Sequence, residues 1–152
     1  MILHAGDVIS GQEGKATAKI NGQVKDMFYI KSFEATVNKN KQEIRTLGKR
    51  ATQHKTTGWS GEGSMTIYYV TSDFVKMAQE YTKNGVDTYF TVTIENNDPT
   101  STIGNQVTAL YNVNVNSIPI AKLDVEDAPL EADLDFTFDR LDLLAEFGEP
   151  QL

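Results

Sequence analysis

Residues 31–81 read KSFEATVNKNKQEIRTLGKRATQHKTTGWSGEGSMTIYYVTSDFVKMAQEY, and the fold turns on how this stretch divides. Phe33, Ala35 and Val37 alternate with polar residues, as do Met65, Ile67 and Tyr69, so two β-strands frame a basic, Gly- and Thr-rich middle. The strands are joined by a charged excursion over about 38–61, longer than connections inside compact domains usually are. A solvated loop of that length gains little burial to offset its ordering entropy, so the expected role is contact with something outside the domain.

Working outward, period-two alternation dominates. Ala16, Ala18 and Ile20 run into Asn21-Gly22, a dipeptide suited to a type I′ hairpin turn, and the chain returns through Met27 to Val37. Later strands are predicted over Thr88 to Glu95 and Val107 to Val115, separated by a hairpin loop from Asn96 to Gln106. After a bend at Pro119 a further stretch runs from Ile120 to Val125. The last strand places Leu134, Phe136 and Phe138 inward and Asp133, Asp135, Thr137 and Asp139 outward. One helix, about 72–84, interrupts the strands. Ser72 is its predicted N-cap, Gly85 its C-terminal stop, and Phe74, Met77, Ala78 and Tyr81 its apolar face.

With 152 residues the chain is expected to form a single domain, with mobile ends over 1–14 and 140–152. A net charge of −7 disfavours general nucleic-acid or anionic-membrane binding. The charges are segregated. Lys39, Lys41, Arg45, Lys49, Arg50 and Lys55 lie between Asn38 and Ser60 with Glu43 as the only acid, whereas ten acids and a single base, Arg140, fall between Asp124 and Glu149. Two opposite runs on one chain favour self-association, although a solvated surface explains either run alone. The absence of cysteine excludes disulfides, thiolate metal sites and a Cys nucleophile. No apolar stretch is long enough to span a bilayer and no Sec-type leader opens the chain, so a soluble protein made in the cytoplasm is expected, without a membrane anchor.

Catalytic patterns are missing. His4 and His54 have no ligand or triad partner at useful spacing. Gly58, Gly61 and Gly63 suggest a phosphate loop, but no Lys-Ser or Lys-Thr pair follows and a strand comes next, so backbone flexibility at the base of the excursion is the better reading. The C-terminal carboxylates share one strand face, where nothing sets one apart from another. No enzyme, cofactor or metal is expected.

The runs Lys31-Ser32-Phe33-Glu34-Ala35-Thr36-Val37-Asn38-Lys39-Asn40-Lys41, Leu47-Gly48-Lys49-Arg50, His54-Lys55-Thr56-Thr57-Gly58 and Gly61-Glu62-Gly63 resemble the tail tube proteins of contractile phage tails and PBSX-like defective prophages. The likeness continues through Val70-Thr71-Ser72-Asp73-Phe74-Val75. It implies a mainly β protein, a β-sandwich or half-barrel with one flanking helix, six copies of which form a ring. Stacked rings would make a hollow tube that conducts DNA, with sheath, baseplate and tape-measure proteins as partners. The location implied is a virion or phage-like tail particle assembled in the bacterial cytoplasm. On this reading the excursion reaches a neighbouring subunit or ring through Lys39, Lys41, Arg45, Lys49, Arg50 and Lys55. Trp59 is either an anchor in the same contact or a packing residue at its hinge. Asp133 and Asp135 either line the bore, where negative walls would repel DNA, or lie on a solvated outer face. A type VI secretion-like tube and a small β-sandwich carbohydrate-binding module are the competing readings.

Overall fold

The computed structural model describes residues 5–8, 10–27, 29–125 and 129–148. Strand β1 (Gly14–Ile20) turns through Asn21 and Gly22, both at positive φ, into β2 (Gln23–Asp26), the hairpin that the Asn-Gly pair predicts. Next come β3 (Ile30–Ile44), β4 (Gln53–Tyr68), helix α1 (Asp73–Asn84), β5 (Phe90–Asn97), β6 (Asn105–Val115), β7 (Glu131–Phe138) and β8 (Arg140–Ala145). They form one open antiparallel sheet in the order β2-β1-β5-β6-β7-β4-β3, with β8 beside β6. The architecture is mainly β with one flanking helix, as expected.

β7 and β8 are nearly one long strand interrupted at Asp139. On one edge β7 pairs with β4 from Glu131 to Phe138; on the other, residues from Phe136 to Ala145 pair with β6. This strand therefore joins the two halves of the sheet, and its alternation follows the prediction. Ala132, Leu134, Phe136 and Phe138 are buried and Asp133, Asp135 and Thr137 are exposed. Full burial of a side chain such as Phe136 contributes about 2–3 kcal/mol.

The excursion is not a loop. β3 and β4 continue their pairing from Phe33↔Met65 out to Ile44↔Gln53, with a bulge at Asn40/Lys41, and only 45–52 form the turn region. Because β7 covers β4 only as far as Gly61, the outer part is a two-stranded arm. Its residues have no apolar face, so periodicity carried no sign of the strands; the ladder between the two segments satisfies their backbone instead.

Gly61 and Gly63 owe their identity to close packing, not to hinge flexibility. A Cβ on Gly61 would stand 2.6 Å from the Phe138 ring, and one on Gly63 would overlap both the Phe136 ring and the Glu34 carbonyl oxygen. The glycines let the β7 aromatics lie flat across β4. Phe33 stacks on Phe136 at 5.2 Å, Phe136 meets Phe138 at 6.5 Å, and Phe138 meets Trp59 at 6.1 Å.

Several local expectations are corrected. Ile120 to Val125 has no regular structure. Ser72 makes no side-chain cap bond; the Asp73 N–H donates to Thr71 Oγ1 at 3.2 Å instead, while Gly85 ends the helix in the left-handed conformation. Tyr81 is 58% exposed, because the helix face meets the core through its first turns, where Phe74 contacts Phe90 edge-on at 6.4 Å. The supposed C-terminal tail is paired as β8 from Arg140 to Ala145.

The N-terminal segment is also tied down, by two buried carboxylates. Asp7 accepts from the Thr102 N–H and hydroxyl at 2.9 and 2.6 Å, and Asp98 accepts from the N–H groups of Ser10 and Thr100 at 3.1 and 3.0 Å. His4 lies outside the described residues, as do parts of both supposed tails.

Two outcomes follow for stability. Gly63→Ala should cost about 2–3 kcal/mol in urea unfolding because a backbone oxygen blocks it, and Gly61→Ala about 1 kcal/mol because only a ring must yield. The N–H groups of Thr100 and Ser10 hold the Asp98 carboxyl below its ordinary value. Its stabilising effect is thus present above the usual carboxylate range and is lost as pH falls through the lowered value. Asp98→Asn should melt below the parent protein at pH 7, and the gap should close in melts carried toward pH 3.

Candidate functional site

The residues singled out from sequence fall on two surfaces. Lys39, Lys41, Arg45, Lys49, Arg50 and Lys55 all lie on the β3–β4 arm or its turn, and all are exposed. Among the described residues the ion pairs are Lys25–Asp73, Lys31–Glu131 and Arg140–Asp142, so none of the six arm cations is neutralised within its own subunit. Leu47 stands fully exposed in the turn among them. The arm extends the sheet by about 20 Å at the usual rise per residue.

Trp59 occupies the base of the arm. It packs on Phe138 yet stays 43% exposed, so it has both a hinge contact and a free face. That face opens into a fork where the arm parts from β8. The fork encloses about 450 Å³, with Val37, Trp59 and Leu141 as its apolar walls and Lys39, Asp139 and Arg140 among its polar ones. Arg140 is itself placed by the Tyr111 ring, 4.6 Å below it, and by Asp142 at 3.0 Å. Sequence reading missed the fork. The signal was the alternation of Leu141 and Leu143, both exposed on β8.

The second surface is the polar face of the sheet. Register sets Glu34 beside Ser64 and Ser64 beside Asp135, then Thr66 beside Asp133. Asp133 and Asp135 are both exposed there, and the Thr66 hydroxyl donates to Asp133 at 2.8 Å. A concavity of about 410 Å³ is bordered by Glu34, Glu62 and Asp135. All three carboxylates are exposed on one open face, so their surroundings do not split them into the acid and base that hydrolytic chemistry requires. Among the described residues no group of three metal-ligating side chains assembles, and His54 sits exposed on the arm opposite Glu43. No helix of the described residues is long and apolar enough to cross a membrane.

An open sheet with a charged projecting arm and unpartnered edges defines a structural protein of the kind that builds by subunit contact. A family model described as phage tail tube protein matches residues 1–145, and the chain belongs to that family. The phage-like element PBSX protein XkdM of Bacillus subtilis (strain 168) is 44% identical over 143 residues, covering 94% of this chain and 95% of that protein. A chain of the six-fold symmetrised anti-feeding prophage baseplate superposes with a TM-score of 0.69, covering 95% of this chain and 97% of its own. A chain from the sheath-tube complex of the extracellular contractile injection system PVC gives 0.64, covering 87% and 89%. Both are 12% identical, a likeness of fold alone. The family favours the tail tube over the type VI-like and carbohydrate-module readings.

The arm cations should be dispensable for the subunit itself. Lys49→Glu and Arg50→Glu, singly or together, should leave urea stability within about 0.5 kcal/mol of the parent, as expected for exposed surface sites that form no ion pair among the described residues.

Proposed function

We propose that the chain forms the inner tube of a contractile phage-like tail, in rings of six copies stacked so that DNA passes through the bore, and that it has no catalytic role. The observation that carries this reading is the arm: six exposed cations on an ordered ribbon, none in an ion pair among the described residues, projecting past the sheet. Such a ribbon supplies charge and shape to a neighbour with little further ordering cost.

The acidic surface it would meet is at the other end of β7, where the exposed Asp133 lies beside Glu131, which is itself paired with Lys31. Opposite charge at opposite ends of one subunit steers copies head to tail and sets their register more than it adds affinity. The edge strands β2 and β3 fit the same reading, since a ring formed by joining sheets leaves no open edge.

Asp133 and Asp135, with Glu34 and Glu62, give the polar face a negative character suited to a bore that repels phosphate. Sheath, baseplate and tape-measure proteins are the implied partners, and assembly in the bacterial cytoplasm the implied route.

Negative-stain electron microscopy of the concentrated protein at low and moderate salt should show rings or hollow tubes. Lys49→Glu/Arg50→Glu should abolish or shorten them. Normal tubes from the charge-reversed protein would remove the arm from the contact, and monomers of the parent protein at every concentration and salt would count against self-assembly.

A further inference from the structure

The long β7–β8 strand has different company at its two ends. Near Glu131 runs the segment Ser117–Val125, without regular structure, with Ile120 exposed and Leu123 and Val125 at 97% and 103% exposure. The Tyr69 hydroxyl donates to the Ile120 carbonyl at 3.2 Å, and the Lys122 ammonium donates to the Glu131 carbonyl. These bonds hold the segment at this end of the sheet with its apolar side chains in solvent. Ala121, Leu123 and Val125 alternate with Lys122 and Asp124, a strand's periodicity in a stretch that joins no strand among the described residues.

At the far end lies the fork. There β8 has an open edge on the side away from β6, and β4 has one from Gln53 to Ser60 on the side away from β3, among the described residues. The walls between them are Val37, Trp59 and Leu141, and Lys39, Asp139 and Arg140 supply both signs of charge.

We propose that the fork receives the Ser117–Val125 segment of a second copy of this chain, with Leu123 and Val125 in the pocket and the segment adding as a strand to the edge of β8. This rests on the self-assembly proposed above and names the surfaces that perform it. Leu123 and Val125 project from the same side of an extended segment, so both reach one apolar cleft. Main-chain bonding to an open edge with side chains seated in a pocket is a recurrent mode of strand addition. Donor and acceptor sit near Glu131 and near Leu141 of this strand, about 30 Å apart at the usual rise, so each copy engaged at one end still presents the other. The contact is heterologous and propagates, as a ring or tube requires.

The chain has no cysteine, which makes the test direct. Leu123→Cys and Leu141→Cys proteins are mixed in equal amounts at assembling concentration and treated with a short bis-maleimide, with electron microscopy in parallel. Covalent 123–141 dimers in excess of either homodimer are expected, and they support the fork whether or not full tubes are seen. Rings or tubes with only 123–123 or 141–141 links, or with none, overturn the fork while leaving the tube intact. Neither particles nor links overturns both. Leu123→Asp gives an independent reading because that side chain lies almost wholly in solvent. Its monomer melt should match the parent, while self-association measured by sedimentation weakens roughly tenfold or more. Unchanged association overturns the proposal.

Discussion

The aromatic seam of Phe33, Phe136, Phe138 and Trp59, laid across a strand cleared of side chains at Gly61 and Gly63, is the contact on which the rest of the molecule depends. Phe136 is wholly buried and Phe138 nearly so, and both belong to the strand that joins the two halves of the sheet. If those rings could not lie down on β4, β7 would lose its register against β4, and the arm would lose its base. Trp59 is the last ring of the series and lies two residues beyond the three-stranded region. The core thus reaches out to the root of the arm through a continuous run of rings.

That connection explains how the arm can be ordered at all. An isolated two-stranded hairpin is marginal in water, and this one also concentrates like charge. Its ladder begins, however, inside a sheet where β3 and β4 are already fixed, so outward pairing requires only propagation from a formed register. The outcome is a projecting element that has met most of its conformational cost before any partner arrives. A loop of the same length would have to meet that cost on binding.

What was legible in the sequence follows the same physics. β7 was legible residue by residue because it is buried on one face and solvated on the other, the condition that produces clean alternation. The Asn21-Gly22 turn and the Gly85 helix stop were legible because positive φ leaves a compositional mark. The arm strands were not, because neither face is buried and a ribbon without a core has no hydrophobic period. Gly61 and Gly63 were read as hinges because a glycine needed for another residue's ring looks the same in one dimension as a glycine needed for its own backbone. The run from Ile120 to Val125 carries a strand's alternation yet joins no strand among the described residues. The arm cations and the two aspartates are exposed, the condition that their polar patterning marks. The fork did not emerge, since it is made where two distant strands diverge.

Among the described residues an alternating segment that joins no strand and an open strand edge occupy the same subunit. A strand pattern in a sequence encodes a partner, but it does not specify that the partner belongs to the same molecule. Within one subunit, Leu123 and Val125 in water and Leu141 and Leu143 on an open edge are each unfavourable, and each is an aggregation hazard if left so. Placed at opposite ends of one strand, the two cannot satisfy each other within a single copy, which favours satisfaction between copies. A geometry that forbids intramolecular closure while leaving an apolar segment and an apolar-walled edge exposed at opposite ends favours a heterologous contact between copies over a closed pair.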